Sequence, residues 1–387
     1  MSHYHSVNCD DDDDGDQTPV LQGSPHQYGT IGDDQLIKEP QEHNFKRRRL
    51  YYSITIIALL LIVIAVSIIL VVTLEEEEDD EKHYHTIRRN NLSFLVVGDW
   101  GGQPTSPYYT SAQKDVAHQM GRKAEEISSQ FTVGLGDNFY DHGVTDVDDS
   151  RFNTTFESVF TAESLQSRWY MVAGNHDHYG STEAQIAYTK KSHRWYMPNY
   201  YYTEEFKISP NFIIQFVFID TELLSTSDQG CSPANESDPQ WLWIENTLAA
   251  STSQWLFVLG HHPVWSVAEH GPTEILVECL RPLLIEYNVT AYFCGHDHTM
   301  QHLHEEDSSV EYFVSGAGHN TNFLRSHNDD VPENSLKFHY GPLDFFSAIG
   351  AFAHVTINST IMSVTYVDYE GNNLYFYTTE TTRDKEG

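Results

Sequence analysis

Hydrophobic residues fall along this chain in two regimes. Near the N-terminus, Tyr51 to Leu74 runs for 24 residues without a charge or a proline. About 20 apolar residues span a bilayer as a helix, and the hydroxyls of Ser53, Thr55, Ser67 and Thr73 can bond to helix carbonyls. Lys46-Arg47-Arg48-Arg49 precede the run and the acids Glu75 to Glu81 follow it. Bases before and acids after predict a cytosolic N-terminus and a single-pass type II anchor. A cleaved signal peptide has an apolar core of only about 7–15 residues and lies nearer the N-terminus. Residues 1–50, with the run Asp10 to Asp14, are too polar to bury a core and read as a disordered cytosolic tail. Within it, Tyr28-Gly29-Thr30-Ile31 and Leu36-Ile37 have the form of short sorting signals. Residues 75–90 read as an acidic stalk, in which Arg88-Arg89 is a candidate processing site.

From Leu92 onward the apolar runs are short, and each gives way to a glycine. Leu92–Val97, Phe131–Leu135, Trp169–Val172, Trp255–Leu259 and Ala291–Phe293 read as buried strands. Thr110 to Ile127 carries Ala112, Val116, Met120, Ala124 and Ile127 on one helical face, and Gln240–Ala250 and Thr273–Tyr287 are further helices. Late strands are expected at Tyr312–Val314, Phe352–Ile357, Ile361–Val367 and Leu374–Thr378, with a hairpin at Asn358-Ser359-Thr360. Strands alternating with helices give an α/β domain over residues 91–380 (α+β by some schemes).

Each glycine leads into residues that can do chemistry. The five strand ends deliver Asp99, Asp137 with Tyr140, Asn175, His261, and His296 with His298. Asp99, Asp137 and Asn175 are 38 residues apart in turn, the length of a strand, a crossover helix and the next parallel strand. Carboxyl ends of parallel strands are where such sheets place their sites. Taken singly, an acid or amide there is a turn cap, Tyr140 a core aromatic and the His pair a surface feature; together they form a metal-ligand set. Hard oxygen donors suit ferric iron or manganese, and imidazoles suit zinc or ferrous iron. One cation would take Asp99, Tyr140 and His298, a second Asn175, His261 and His296, with Asp137 bridging. A pair of cations clamps a phosphoryl group and acidifies a water, so a metal-bound hydroxide would attack phosphorus. Asp177 can orient a neighbouring histidine, while the roles open to His176, stabilising the phosphoryl oxygens, and to His270, a candidate proton donor, rest on a family resemblance. His178 has little to recommend it, and His304, His319, His327 and His339 read as ordinary surface residues.

Composition narrows the partners. The net charge of −34 repels nucleic acid, so phosphate must be drawn by local cation charge. The four cysteines include no CxxC pair, which argues against thiolate zinc. Sequons at Asn91, Asn153, Asn235, Asn288 and Asn358 require a lumenal or extracellular face, with Asn91, just ahead of a strand, the one expected to go unused.

Gly98-Asp99-Trp100-Gly101-Gly102, Gly136-Asp137-Asn138-Phe139-Tyr140, Gly174-Asn175-His176-Asp177, Gly260-His261-His262-Pro263 and Gly295-His296-Asp297-His298 resemble the five motifs of the purple acid phosphatases. Val264 to Thr273 resembles the small mammalian-type, tartrate-resistant group, and the likeness extends from about Leu92 to Tyr377. It implies a metallophosphoesterase sandwich of two mixed β-sheets flanked by helices. It also implies a binuclear centre with Fe(III) on the Tyr140 side and Fe(II), Zn or Mn beside it. The expected reaction is hydrolysis of small phosphomonoesters or phosphoproteins in an acidic lumen or at the cell surface. A phosphodiesterase or pyrophosphatase on the same metals and a non-catalytic iron-binding ectodomain are the alternatives. The segment Thr221 to Pro239 resembles the family's regulatory loop, and the resemblance implies a Cys231–Cys279 disulfide with Cys294 a buried thiol. Two departures stand out: the membrane anchor, and His262 where Tyr is common.

Overall fold

A computed structural model of the chain describes residues 41–76, 84–87, 89–209, 212–226, 239–341, 349–381 and 383. Residues 1–40, stalk residues 77–83 and Arg88, and Cys231 and Asn235 lie outside the described residues. Two units are distinct, divided after Glu81.

In the first unit Gln41–Glu76 is one continuous helix. Its segment Arg47–Ser67 has a mean hydropathy of 2.5, and its residues are exposed. Twenty-one residues at 1.5 Å each give about 30 Å, the thickness of a bilayer core. The hydroxyl of Thr55 donates to the Tyr51 carbonyl at 2.8 Å, so the helix satisfies its own polar group.

The second unit is built on strands. In chain order these are β1 Tyr84–Thr86, β2 Leu92–Val97, β3 Phe131–Leu135, β4 Trp169–Val172 and β5 Trp195–Tyr196. Then come β6 Tyr202–Ser209, β7 Phe212–Phe218, β8 Trp255–Leu259, β9 Ala291–Cys294 and β10 Met300–His304. The last are β11 Glu311–Ser315, β12 Leu336–Tyr340, β13 Ala351–Ile357, β14 Ile361–Asp368 and β15 Asn373–Glu380. They form two mixed sheets, ordered β15-β14-β13-β2-β3-β4-β5 and β1-β6-β7-β8-β9-β11-β10-β12. β2, β3 and β4 run parallel in one, and β7, β8 and β9 run parallel in the other.

Side-chain alternation fixes the layers. Leu92, Phe94 and Val96 of β2 meet Phe216, Phe257 and Phe293 of the facing sheet in a core between the sheets. The intervening Leu95 and Val97 turn to the other face, where Val116, Met120 and Ala124 of helix Ser111–Ile127 cover them. Leu256 and Val258 of β8 likewise pack on Trp241, Ile244 and Leu280 from helices outside the second sheet. The expected sandwich of two mixed sheets flanked by helices is therefore present.

Thr110 caps the Ser111–Ile127 helix through its side chain, which accepts the Gln113 N–H. The expected Thr273–Tyr287 helix contains a widened turn, Leu276–Leu280, before Arg281–Glu286. Pro282 is the cause, since proline has no N–H to give and its ring crowds the carbonyl one turn back. The equal 38-residue spacings also hide different connections. β2 and β3 are joined through a helix, whereas β3 and β4 are joined by loops with only the short turns Phe152–Glu157 and Glu163–Leu165. At the late hairpin, Asn358 Oδ1 accepts the N–H groups of Thr360 and Ile361, each at 2.8 Å.

Asn153 and Asn358 are exposed, and Asn288 is half-buried with its Oδ1 accepting from Ser309 Oγ at 2.6 Å. Cys279 is disulfide-bonded and Cys294 is a buried free thiol; the Cys279 partner lies outside the described residues. His354 on β13 has its pKa pushed down to about 4, by burial first and then by the Lys123 charge. An unfolded histidine titrates near 6.5, so the unfolded chain binds the proton first and stability falls as pH drops from about 6.5 towards 4. His354→Gln is expected to flatten that fall, read as the difference between urea midpoints at about pH 7 and pH 5.

Candidate metal centre

The carboxyl ends of β2, β3 and β4 in one sheet and of β8 and β9 in the other meet along one rim. Backbone bonds sew the loops together: Asp99 N–H to Gly136 O at 3.0 Å, Gly295 N–H to His261 O at 2.9 Å, Gly318 N–H to Gly98 O at 3.0 Å. The motif glycines are needed for closeness. A Cβ at Gly174 would run into Asp137 Oδ1, and one at Gly295 into Asp99 Oδ2. Asp99, Asp137 and His296 themselves adopt positive φ, at 56°, 49° and 67°. Side chains with a Cβ rarely adopt that region, and local strain of this kind gathers at functional sites. Here it turns the two carboxylates inward.

On one side, Tyr140 Oη lies 3.1 Å from Asp99 Oδ1 and 3.0 Å from His298 Nε2. Asp99, Asp137 and His298 form a group whose ligand atoms lie within 4.8 Å of one another. On the other side, Asn175 Oδ1 sits 3.1 Å from both His261 Nε2 and His296 Nδ1, which are 3.3 Å apart. Asp137 Oδ1 is 3.4 Å from His261 Nε2, so this carboxylate reaches both donor sets. The structure brings all seven candidate ligands together, with Asp99, Tyr140 and His298 on one side, Asn175, His261 and His296 on the other, and Asp137 near both. The donor set fits a cation pair. Two buried carboxylates, a phenol and an amide oxygen converge, and among the described residues the ion pairs of both acids are with histidines alone. Lone pairs concentrated without a fixed cation are what metal ions stabilise.

The chain has relatives among known proteins. The family model for calcineurin-like phosphoesterases matches residues 92–300. Human tartrate-resistant acid phosphatase type 5 is 44% identical over 294 residues, covering 73% of this chain and 89% of that protein. Purple acid phosphatase 4 of Arabidopsis thaliana is 34% identical over 304 residues, 76% of this chain and 86% of that one. This chain belongs to the purple acid phosphatases. Among solved structures, the fold is shared by GAP50, described as the anchor in the inner membrane complex of Plasmodium. Its TM-score is 0.65 at 22% identity, over 77% of this chain and 91% of that one. The yellow lupin purple acid phosphatase PPD1 has a TM-score of 0.55 at 16% identity, over 76% and 54%.

Around the metal centre of this purple acid phosphatase the supports differ in part from expectation. Asp177 orients no histidine. Its carboxylate accepts N–H bonds from Gly174 at 2.8 Å, Asn138 at 3.0 Å and the Gln185 amide at 2.8 Å, clamping the Asp137 and Asn175 loops to each other. Burial, then the Asp137 charge, lift its pKa to about 6. The His261 imidazole is oriented instead by backbone: its Nδ1 lies 2.8 Å from the Leu135 carbonyl, which turns Nε2 towards Asn175 and Asp137.

His176 lies beside Tyr140 and His270 beside His296. His176 Nδ1 is 2.6 Å from the Asp141 carbonyl and its Nε2 4.0 Å from Asp137 Oδ2. The His270 ring lies 4.3 Å from that of His296, tilted by 36°, and the His270 backbone N–H donates to Asp297 Oδ1 at 3.0 Å. Asp297 also accepts from Ser266, so it holds the His270 loop. Its sequence context assigns it no role, although it lies between two ligands. His262 packs 4.3 Å from His296 and bonds to Thr221 Oγ1 at 3.0 Å. His178 bonds to Asp220 Oδ2 at 2.8 Å, away from the ligand atoms. His319 departs from the sequence expectation. Rather than a surface residue, it is half-buried against Tyr140 and lines a cleft of about 480 Å³ with His176, His298 and Tyr140.

Proposed function

We propose that this chain is an acid phosphatase that hydrolyses phosphate monoesters at a binuclear centre. The observation that carries the reading is the position of Asp137 between two complete donor sets beside an open cleft. Asp99, Tyr140 and His298 would hold Fe(III), and Asn175, His261 and His296 would hold Fe(II), Zn or Mn. Bound there, the pair would supply Lewis-acid charge and acidify a water at low pH. The chain's own groups do the rest. Nδ1 of His176 is committed to a carbonyl, which leaves Nε2 to donate to a phosphoryl oxygen. His270 is the candidate donor to the leaving oxygen, and Asp297 keeps its loop in place through the His270 backbone N–H.

The accompanying topology is a type II anchor. The described apolar segment Arg47–Ser67 overlaps the 51–74 span, and bases precede it. The tail (1–50), stalk (75–90) and catalytic domain (91–380) follow from that reading, with the domain lumenal or extracellular. Exposed Asn153 and Asn358 suit glycosylation, and Asn235 and Asn288 complete the set. Cys231 is the partner we assign to Cys279.

The test is metal analysis and a visible spectrum of the purified protein, with phosphate release from a monoester and a diester across pH. Expected are two metal ions per chain, a band in the visible, and faster monoester turnover on the acid side of neutrality. A diester hydrolysed faster would favour a phosphodiesterase; a coloured protein that releases no phosphate would leave only metal binding.

A further inference from the structure

His270 stands exposed, and its side chain makes no hydrogen bond among the described residues, so the backbone around it decides where the ring points. One side chain holds that backbone both before and after His270. His327 Nε2 lies 3.1 Å from the carbonyl oxygen of Glu269, the residue immediately before it. A carbonyl can only accept, so Nε2 carries a proton and donates. Gly271, immediately after, has a φ of 73° and sits so close to the same ring that a Cβ there would overlap the imidazole. The two segments are 58 positions apart, so the bond is a tertiary tie and not part of a local turn.

His327 is itself fixed. Its Nδ1 lies 2.7 Å from Asp330 Oδ2, and its backbone N–H donates to the carbonyl of Val267, a core residue, at 3.1 Å. The segment that carries it is also tied to the metal centre. The Asn322 N–H donates to the His298 carbonyl at 2.7 Å, and the Asn322 amide donates to the Glu269 carboxylate. A residue read from the sequence as surface therefore joins the His298 turn to the His270 loop. We propose that His327 is a positioning residue for His270: its bond to the Glu269 carbonyl, with its ring against Gly271, fixes the His270 backbone relative to the metal centre. The inference deepens the phosphatase reading and rests on it.

The experiment uses the metal-loaded full chain with a phosphate monoester. His327→Asn keeps a donor at the place of Nδ1 and loses the one at Nε2; His327→Gln keeps a donor at the place of Nε2. His327→Asn is expected to lower kcat/KM by about tenfold or more, because small displacements of a group beside the reacting centre are costly. His327→Gln should restore most of that loss, and metal content should stay at the wild-type level in both. His270→Ala lowers activity by itself; adding His327→Asn to it should cost no more than about twofold further, since both changes then act through one group. Equal losses in the Asn and Gln variants would overturn the assignment, as would an undiminished Asn variant, a His270→Ala chain as active as wild type, or a full further loss in the double variant. A wild-type chain that releases no phosphate sinks the phosphatase reading instead. Amide hydrogen exchange at His270 and Gly271 then still reads the tie: faster exchange in His327→Asn than in His327→Gln supports it, and equal exchange overturns it.

Discussion

Asp137→Ala is expected to strip both cations from the protein and to lower kcat/KM by about a thousandfold or more. The carboxylate belongs to both halves of the centre. It groups with Asp99 and His298 on one side and lies 3.4 Å from His261 on the other. Its Oδ1 also accepts the His176 N–H at 3.1 Å, so the change loosens the loop carrying His176. His298→Ala is the contrast, since that ring reaches only the Tyr140 side. It should cost one cation and leave the other. The fold should survive both changes, because the layers that hold it lie between and outside the sheets, not at the rim. Metal content per chain by elemental analysis, with a melting curve on the same sample, makes the check. Two ions retained in a folded Asp137→Ala protein would show that no carboxylate bridges the pair.

The side chains that meet at the rim are legible in the sequence because each comes after a short apolar run and a glycine, a pattern that survives without knowing which sheet a strand joins. The pairing of sheets is not. Asp99, Asp137 and Asn175 end strands of one sheet, while His261, His296 and His298 come after strands of the other. β6 is hidden because Glu204, Glu205 and Lys207 break its apolar pattern near the sheet edge, where half of each residue meets solvent. β10 is hidden for the opposite reason. Its His302 is fully buried, which is tolerable because Nε2 pairs with Glu311 at 2.8 Å and Nδ1 with Tyr375 Oη at 2.9 Å. Those partners sit on other strands and leave no local mark. His319 is hidden likewise, since its anchor is a backbone carbonyl more than two hundred positions away. Adjacency to His176 suggests the wrong partner for Asp177, because a carboxylate at a helix N-terminus finds backbone N–H groups first.

Tyr140→Phe is expected to abolish the visible band while leaving the protein folded and the cation on the Asn175 side in place. The phenol is an unusual ligand to find deprotonated. Burial, then the charges of Asp137 and Asp99, push its pKa well above the ordinary value. With protein groups alone it stays a neutral donor to Asp99 Oδ1, and only a strongly Lewis-acidic ion beside it can reverse that order. A trivalent iron meets the requirement where a zinc ion on that side would not produce colour. Phenylalanine keeps the ring that packs 4.7 Å from His176 and 4.4 Å from His319, so the cleft wall remains and the loss is confined to one oxygen. That oxygen is worth about 1–3 kcal/mol as a buried hydrogen bond to a charged group, small beside the stability of a body of two sheets. The spectrum is the decisive reading. A band that persists in Tyr140→Phe would remove the phenolate from the centre, and a colourless wild type carrying two metal ions would remove the iron while leaving the paired site intact.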